Sequence, residues 1–251
     1  MGASVVITGR DTKRIDAVIA RCLNNSSSQP ATDITKQHDG DHHRRRHQKA
    51  IGVKADLSLD TDINLLIERV SAEFGGQLDI LVNNAGGSTV ASFVDANCIN
   101  LLDQELKILR GHQLLTKLLI PLLTASTRGS SIVNVSATTE RPSYEVLANM
   151  LCKSSLDMFT KCLALELAPK GVRVNCVGAG TILTPMVLNN PVYNRLVFSA
   201  EFLQTIPLGR PATADEVVNA IVFLAVTPTC AVSGGSFVNG IKLNVTGGQF
   251  L

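Results

Sequence analysis

A chain of 251 residues, 45% hydrophobic and 18% charged, can bury a sizeable core as one large domain. Its net charge of +2 and pI near 8.2 make too weak a global field to recruit nucleic acid. No run of ~18 apolar residues exists to span a membrane, and no basic or apolar signal segment precedes the first strand-like residues, so a cytoplasmic protein is expected.

Along the chain, apolar runs alternate with amphipathic stretches, the pattern of βαβ units around a parallel sheet. Ala3–Thr8 is predicted as a β-branched strand, followed by a helix over Asp11–Leu23. Ala50–Asp56 is the next strand and Asp60–Phe74 the next helix, stopped by Gly75-Gly76. Leu78–Asn83 is a strand, and a long helix over Leu101–Thr124 carries Leu102, Leu106, Leu109, Leu115, Leu118 and Leu122 as its apolar stripe. Ser131–Ser136 is a strand, residues 145–167 a helix closed by Ala168-Pro169-Lys170-Gly171, and Val172–Val177 a strand. A helix over Thr213–Val226 and a short strand over Lys242–Val245 complete the series, with no repeat or linker to divide it.

One segment breaks this pattern. Residues 26–49 are polar and hold His38, His42, His43 and His47 beside Arg44, Arg45 and Arg46, close enough to suggest zinc or phosphate. Nothing supplies the ordered outer shell that a metal needs, and the segment reads as a solvated surface loop with no metal. Six scattered cysteines without a CxxC read as buried free thiols of a reducing compartment.

Asn83-Asn84-Ala85-Gly86 after a strand, Asp56-Leu57 at the end of another, Arg173-Val174-Asn175, the loop with Gly180 and Thr184, and Gly247-Gly248 occur in order. With Lys153 in Cys152-Lys153-Ser154, the sequence resembles the short-chain dehydrogenase/reductase family over its whole length. The likeness is greatest to its carbonyl and 3-oxoacyl reductase-like members. It implies an α/β fold: a doubly wound Rossmann-like parallel sheet in a single domain. It also implies carbonyl/alcohol interconversion on a small substrate by hydride transfer from a nicotinamide cofactor. Arg10, Asp56, Leu57, Asn83, Ala85, Gly86, Lys153, Gly180 and Thr184 stand at the family's cofactor positions. Where NAD-preferring members hold the ribose 2′-hydroxyl with an acid, this chain has Gly9-Arg10, which suits the 2′-phosphate of NADP.

The same resemblance exposes departures. Ala3–Thr8 matches the family's second βα unit; the usual first unit, with its glycine-rich phosphate turn, has no counterpart in the sequence. Its loss either leaves two strand edges unpaired or lets the flanking strands close together. In the family a tyrosine four residues before the lysine moves the proton, and here that position is Asn149, an amide that cannot act as a phenolic acid. Ile108 stands where the supporting asparagine belongs. The catalytic serine falls on Ser136 when counted back from Asn149 and on Ala137 when counted along the strand, and Tyr144 lies near enough to be a substitute acid. Three readings follow: an NADP-linked reductase that is catalytically impaired, a non-catalytic interaction protein, or a fragment of a longer reductase. Pairing into a homo-oligomer is expected through the helices at 101–124 and 145–167. The apolar segment 185–208, with Met186, Val187, Leu188, Leu196, Val197 and Phe198, fits a substrate loop or a lid packed on the core.

Overall fold

A computed structural model describes residues 3–24, 49–87, 91–140, 146–226 and 235–249, and in it strands and helices alternate as the apolar periodicity predicts. The strands are β1 (Val5–Gly9), β2 (Ala50–Lys54), β3 (Ile80–Asn83), β4 (Ser130–Ala137), β5 (Val172–Ala179), β6 (Ile182–Leu183), β7 (Ala212–Thr213) and β8 (Lys242–Val245). The helices are α1 (Thr12–Asn24), α2 (Asp60–Phe74), α3 (Cys98–Thr124), α4 (Leu147–Leu167), α5 (Pro185–Leu188), α6 (Pro191–Val197), α7 (Ala200–Leu203) and α8 (Ala214–Ala225). Residues 25–48, which include the polar His- and Arg-rich segment, lie outside the described residues, as do Tyr144 and Cys230. Among the described residues no helix is long and apolar enough to cross a membrane, and no three His, Cys, Asp or Glu residues group as metal ligands.

Helix ends follow local chemistry. Gly75 caps α2 in the left-handed conformation (φ 62°) that a side chain resists. Thr213 and Glu216 form a reciprocal capping box that starts α8. The four-stranded sheet runs β3-β4-β5-β8, all parallel, with β4 and β5 buried almost throughout because helices cover both faces. The Arg173-Val174-Asn175 stretch of β5 holds the returning chain: Arg173 and Asn175 both donate to the Val238 carbonyl, and Asn239 accepts from the Val174 amide.

Of the two outcomes foreseen for the sheet, the structure takes the first. β1 pairs with β2, β3 pairs with β4, and among the described residues nothing bonds β1 to β3. Ile80 and Val82 of β3 are left 38% and 40% exposed on one side of that edge. The β1–β2 pair is instead held by packing. Val6 and Val53 press on the main core cluster, which includes Ile63, Leu66, Leu115, Leu119, Leu123 and Leu163. Helix α3 passes so close to residue 57 that a Cβ on Gly111 would overlap the Leu57 carbonyl, so only glycine fits there.

Two expectations need correction. The buried line of α3 runs through Leu109, Leu115, Leu119 and Leu123, whereas Leu106 faces solvent and Leu102, Leu118 and Leu122 are only partly covered. The helix therefore presents a face rotated from the leucine stripe, because Glu105, His112 and Thr116 take buried positions. Nor are all the cysteines buried: Cys98, Cys152 and Cys176 are, but Cys22 is half-buried and Cys162 exposed.

Candidate active site

Helix α4 packs beside α3 and lies along β4 and β5, and its inner face carries Asn149 and Lys153 one turn apart. Lys153 Nζ donates to the Val135 carbonyl at 2.8 Å and sits 3.6 Å from where a Cβ on Gly86 would be. One turn earlier, Asn149 Nδ2 donates to the Gly87 carbonyl at 3.0 Å. Both side chains thus engage the Gly86-Gly87 segment that follows β3. Burial lowers the Lys153 pKa, opposed first by Glu105 and then by Cys176, Asp157 and Cys152.

The other expected residues separate into groups. Ser136 is buried, and its hydroxyl donates to the Lys153 backbone carbonyl at 3.2 Å, so it faces the backbone of α4. Ala137, the other reading of that position, is half-buried at the strand end. Ile108 is half-buried on α3 between Glu105 and His112. Asn83 lies inside the fold, where Nδ2 donates to Thr116 Oγ1 at 3.0 Å and Asn134 Oδ1 at 2.8 Å, while Asn134 donates to Thr160 at 2.8 Å. That chain ties β3, α3, β4 and α4 together. Leu57 is a core residue, and the Ala85 backbone is bonded to His112. Arg10 and Asp56 stand together at the carboxyl ends of β1 and β2, 3.9 Å apart, with Arg10 largely in solvent. A backbone bond from Ser58 lowers the Asp56 pKa, and Arg10 adds to this. Gly180 donates to the Val245 carbonyl and packs against Thr246, and Thr184 begins α5.

Three features escaped the sequence reading. Glu105 and His112 are buried on the same face of α3 as the site. Burial raises the Glu105 pKa, with Lys153 acting against it. His112 is pushed down to about 4, by burial first and by Lys153 second. Behind Ser136, Lys242 of β8 donates to Asp157 at 2.9 Å and Thr139 at 2.9 Å and pairs with Glu140 at 3.1 Å. Polar residues recurring at 105, 112 and 116 on one face of a largely apolar helix are the signal that could have revealed Glu105 and His112.

The segment 185–208 forms three short helices. Val197 is buried, but Met186, Leu188, Leu196 and Phe198 stay about half exposed. One open cleft of about 350 Å³ lies between Arg14 of α1 and Pro185, Met186, Asn189, Asn190 and Pro191. It is separate from the residues around Lys153.

The family profile described as Enoyl-(Acyl carrier protein) reductase matches residues 30–248. L-fucose dehydrogenase of Mus musculus is 31% identical, over 100% of this chain and 89% of that protein. The 3-oxoacyl-(acyl-carrier-protein) reductase of Aquifex aeolicus is 31% identical, over 99% of this chain and 88% of that one. Among solved structures, the 3-ketoacyl-(acyl-carrier-protein) reductase of Brucella melitensis, complexed with NADH, superposes with a TM-score of 0.77 at 28% identity, covering 100% of this chain and 89% of that one.

Proposed function

The chain belongs to the short-chain dehydrogenase/reductase family of oxidoreductases, and on that footing we propose a site built for NADP-linked carbonyl/alcohol interconversion but catalytically impaired. The observation that carries this reading is Asn149. It holds the position of the family's proton-transferring tyrosine, and its amide is spent on the Gly87 carbonyl. An amide has no proton to give near neutral pH, and general acid catalysis is typically worth about 10²–10⁴-fold. The burial of the Ser136 hydroxyl against α4 supports the same conclusion.

Toward a nicotinamide dinucleotide, the described residues fit at the two ends and not in the middle. Arg10, exposed, preceded by Gly9 and 3.9 Å from Asp56, suits a 2′-phosphate, and Lys153 beside Gly86 suits a ribose. The sequence has no glycine-rich turn to cradle a pyrophosphate with backbone N–H groups. Purified protein is therefore expected to oxidise no NADPH with ketones or diketones above the protein-free rate. It is also expected to show no rise in melting temperature with sub-millimolar NADPH. Turnover that Lys153→Ala abolishes, or a clear stabilisation by NADPH, would overturn this reading.

A specific observation also favours a role through surfaces. Leu151, Met158 and Leu165 recur every seven residues on α4, and Ile99 and Leu106 do so on α3, all exposed. Such lines of apolar side chains on two adjacent long helices suit pairing with a second copy of the chain. Sedimentation should show a dimer that Leu165→Glu dissociates. A monomeric wild-type protein at micromolar concentration would exclude this pairing.

A further inference from the structure

Glu105 and His112 lie two turns apart on one stripe of α3, with Ile108 between them. Both are nearly fully buried, at 6% and 2% exposure. Glu105 Oε1 is 3.6 Å from where a Cβ on Gly87 would sit, and Lys153 Nζ is 3.6 Å from the same point on Gly86. The carboxylate and the ammonium therefore converge on two consecutive residues. A carboxylate carried into such an interior needs a cation, and a buried ammonium needs an anion.

Elimination identifies the anion. On α4, Asp157 Oδ2 is taken by Lys242 and Thr139, and its Oδ1 faces the Cys176 thiol of β5 at 3.5 Å. The Cys152 and Cys176 thiols are pushed up to about 11 and about 12, by burial first, and stay neutral. From β4, Val135 offers a carbonyl and Ser136 a hydroxyl already donated to α4. His112 is bonded to the Ala85 backbone and is uncharged near neutral pH. Among the described residues, Glu105 is the carboxylate left for Lys153.

We propose that Glu105 is the counter-ion of Lys153, balancing its ammonium by charge across the Gly86-Gly87 segment while the Val135 carbonyl holds it by a hydrogen bond. Glu105 is a positioning residue that acts through the lysine, supporting it from α3 where Ile108 has no polar atom. The inference rests on the family reading only for the place of Lys153 in the site.

The test follows the ammonium itself. In full-length protein carrying ¹³Cε/¹⁵Nζ-lysine, the Lys153 resonance is assigned by its loss in Lys153→Met and titrated against pH. Glu105→Gln should raise the acid dissociation constant of the Lys153 ammonium at least about tenfold, and Glu105→Asp should restore part of the difference. An unchanged titration in Glu105→Gln overturns the proposal. Should that variant fail to fold, the reciprocal experiment decides. With ¹³Cδ-glutamate, Lys153→Met should make Glu105 at least about tenfold harder to ionise, and no change there overturns the proposal equally. Neither readout depends on turnover or NADPH, so this inference and the proposed function can fail separately.

Discussion

Lys242→Met is expected to destabilise the fold by about 3 kcal/mol, the cost of removing one partner from a buried ion pair. Lys242 and Asp157 are 13% and 12% exposed at their side chains and 2.9 Å apart. Burial alone would lower the Lys242 pKa, but its bonds to Asp157 and Glu140 outweigh this and hold it above the ordinary lysine value. Methionine fills similar volume and cannot meet either carboxylate, so Asp157 would remain buried with only two neutral donors, the Thr139 hydroxyl and the weakly donating Cys176 thiol. The loss should reach the strand end at Ser136, because Thr139 and Glu140 leave β4 directly and Lys242 bonds both. Urea unfolding of Lys242→Met measures the effect, and a double variant with Asp157→Leu should recover most of it. An unchanged midpoint in the single variant would show that the pair contributes nothing net.

Acid should weaken this protein through His112. An imidazole in the unfolded chain titrates near 6.5, whereas burial first and the Lys153 charge second push His112 down to about 4. Between those values the unfolded chain binds a proton that the folded chain refuses, so stability falls as pH falls through that window. The full difference amounts to about 3 kcal/mol of stability present above the window and lost below it. Glu105 works in the opposite sense, since its raised pKa makes the folded state bind a proton more readily than the unfolded one. The readout is therefore the difference between wild type and His112→Gln, which keeps a neutral donor for the Ala85 backbone. Urea midpoints at pH 7, 6 and 5 should fall more steeply for wild type. Parallel slopes for the two proteins would show that His112 is not held neutral.

Much of the fold could be read from residue order because it rests on local chemistry. The β-branched runs gave β1, β2, β4 and β5, the double glycine at 75–76 gave the end of α2, and Thr213 gave the start of α8. The helices α5, α6 and α7 and the strands β6 and β7 were not legible. Each is between two and seven residues long, too short for a 3.6- or 2-residue period to emerge. Their placement follows from packing, as when Gly247 and Gly248, at φ 65° and 86°, turn the chain against Ile206 and Pro207.

At the site, the sequence by itself determined the identities Lys153, Asn149, Ile108 and Gly9-Arg10, while the family roles of these positions were what the resemblance implied. These are identities at positions, and motif spacing fixes them. Only the tertiary structure decided what those residues touch. It turned the Asn149 amide onto Gly87, buried the Ser136 hydroxyl against α4, made Asn83 a tie between layers, and left β1 and β3 unbonded. It also brought Glu105 of α3 and Lys153 of α4 to one short segment after β3, across 48 positions of sequence. Charge compensation in an interior depends on distance and burial, and neither is a property of residue order.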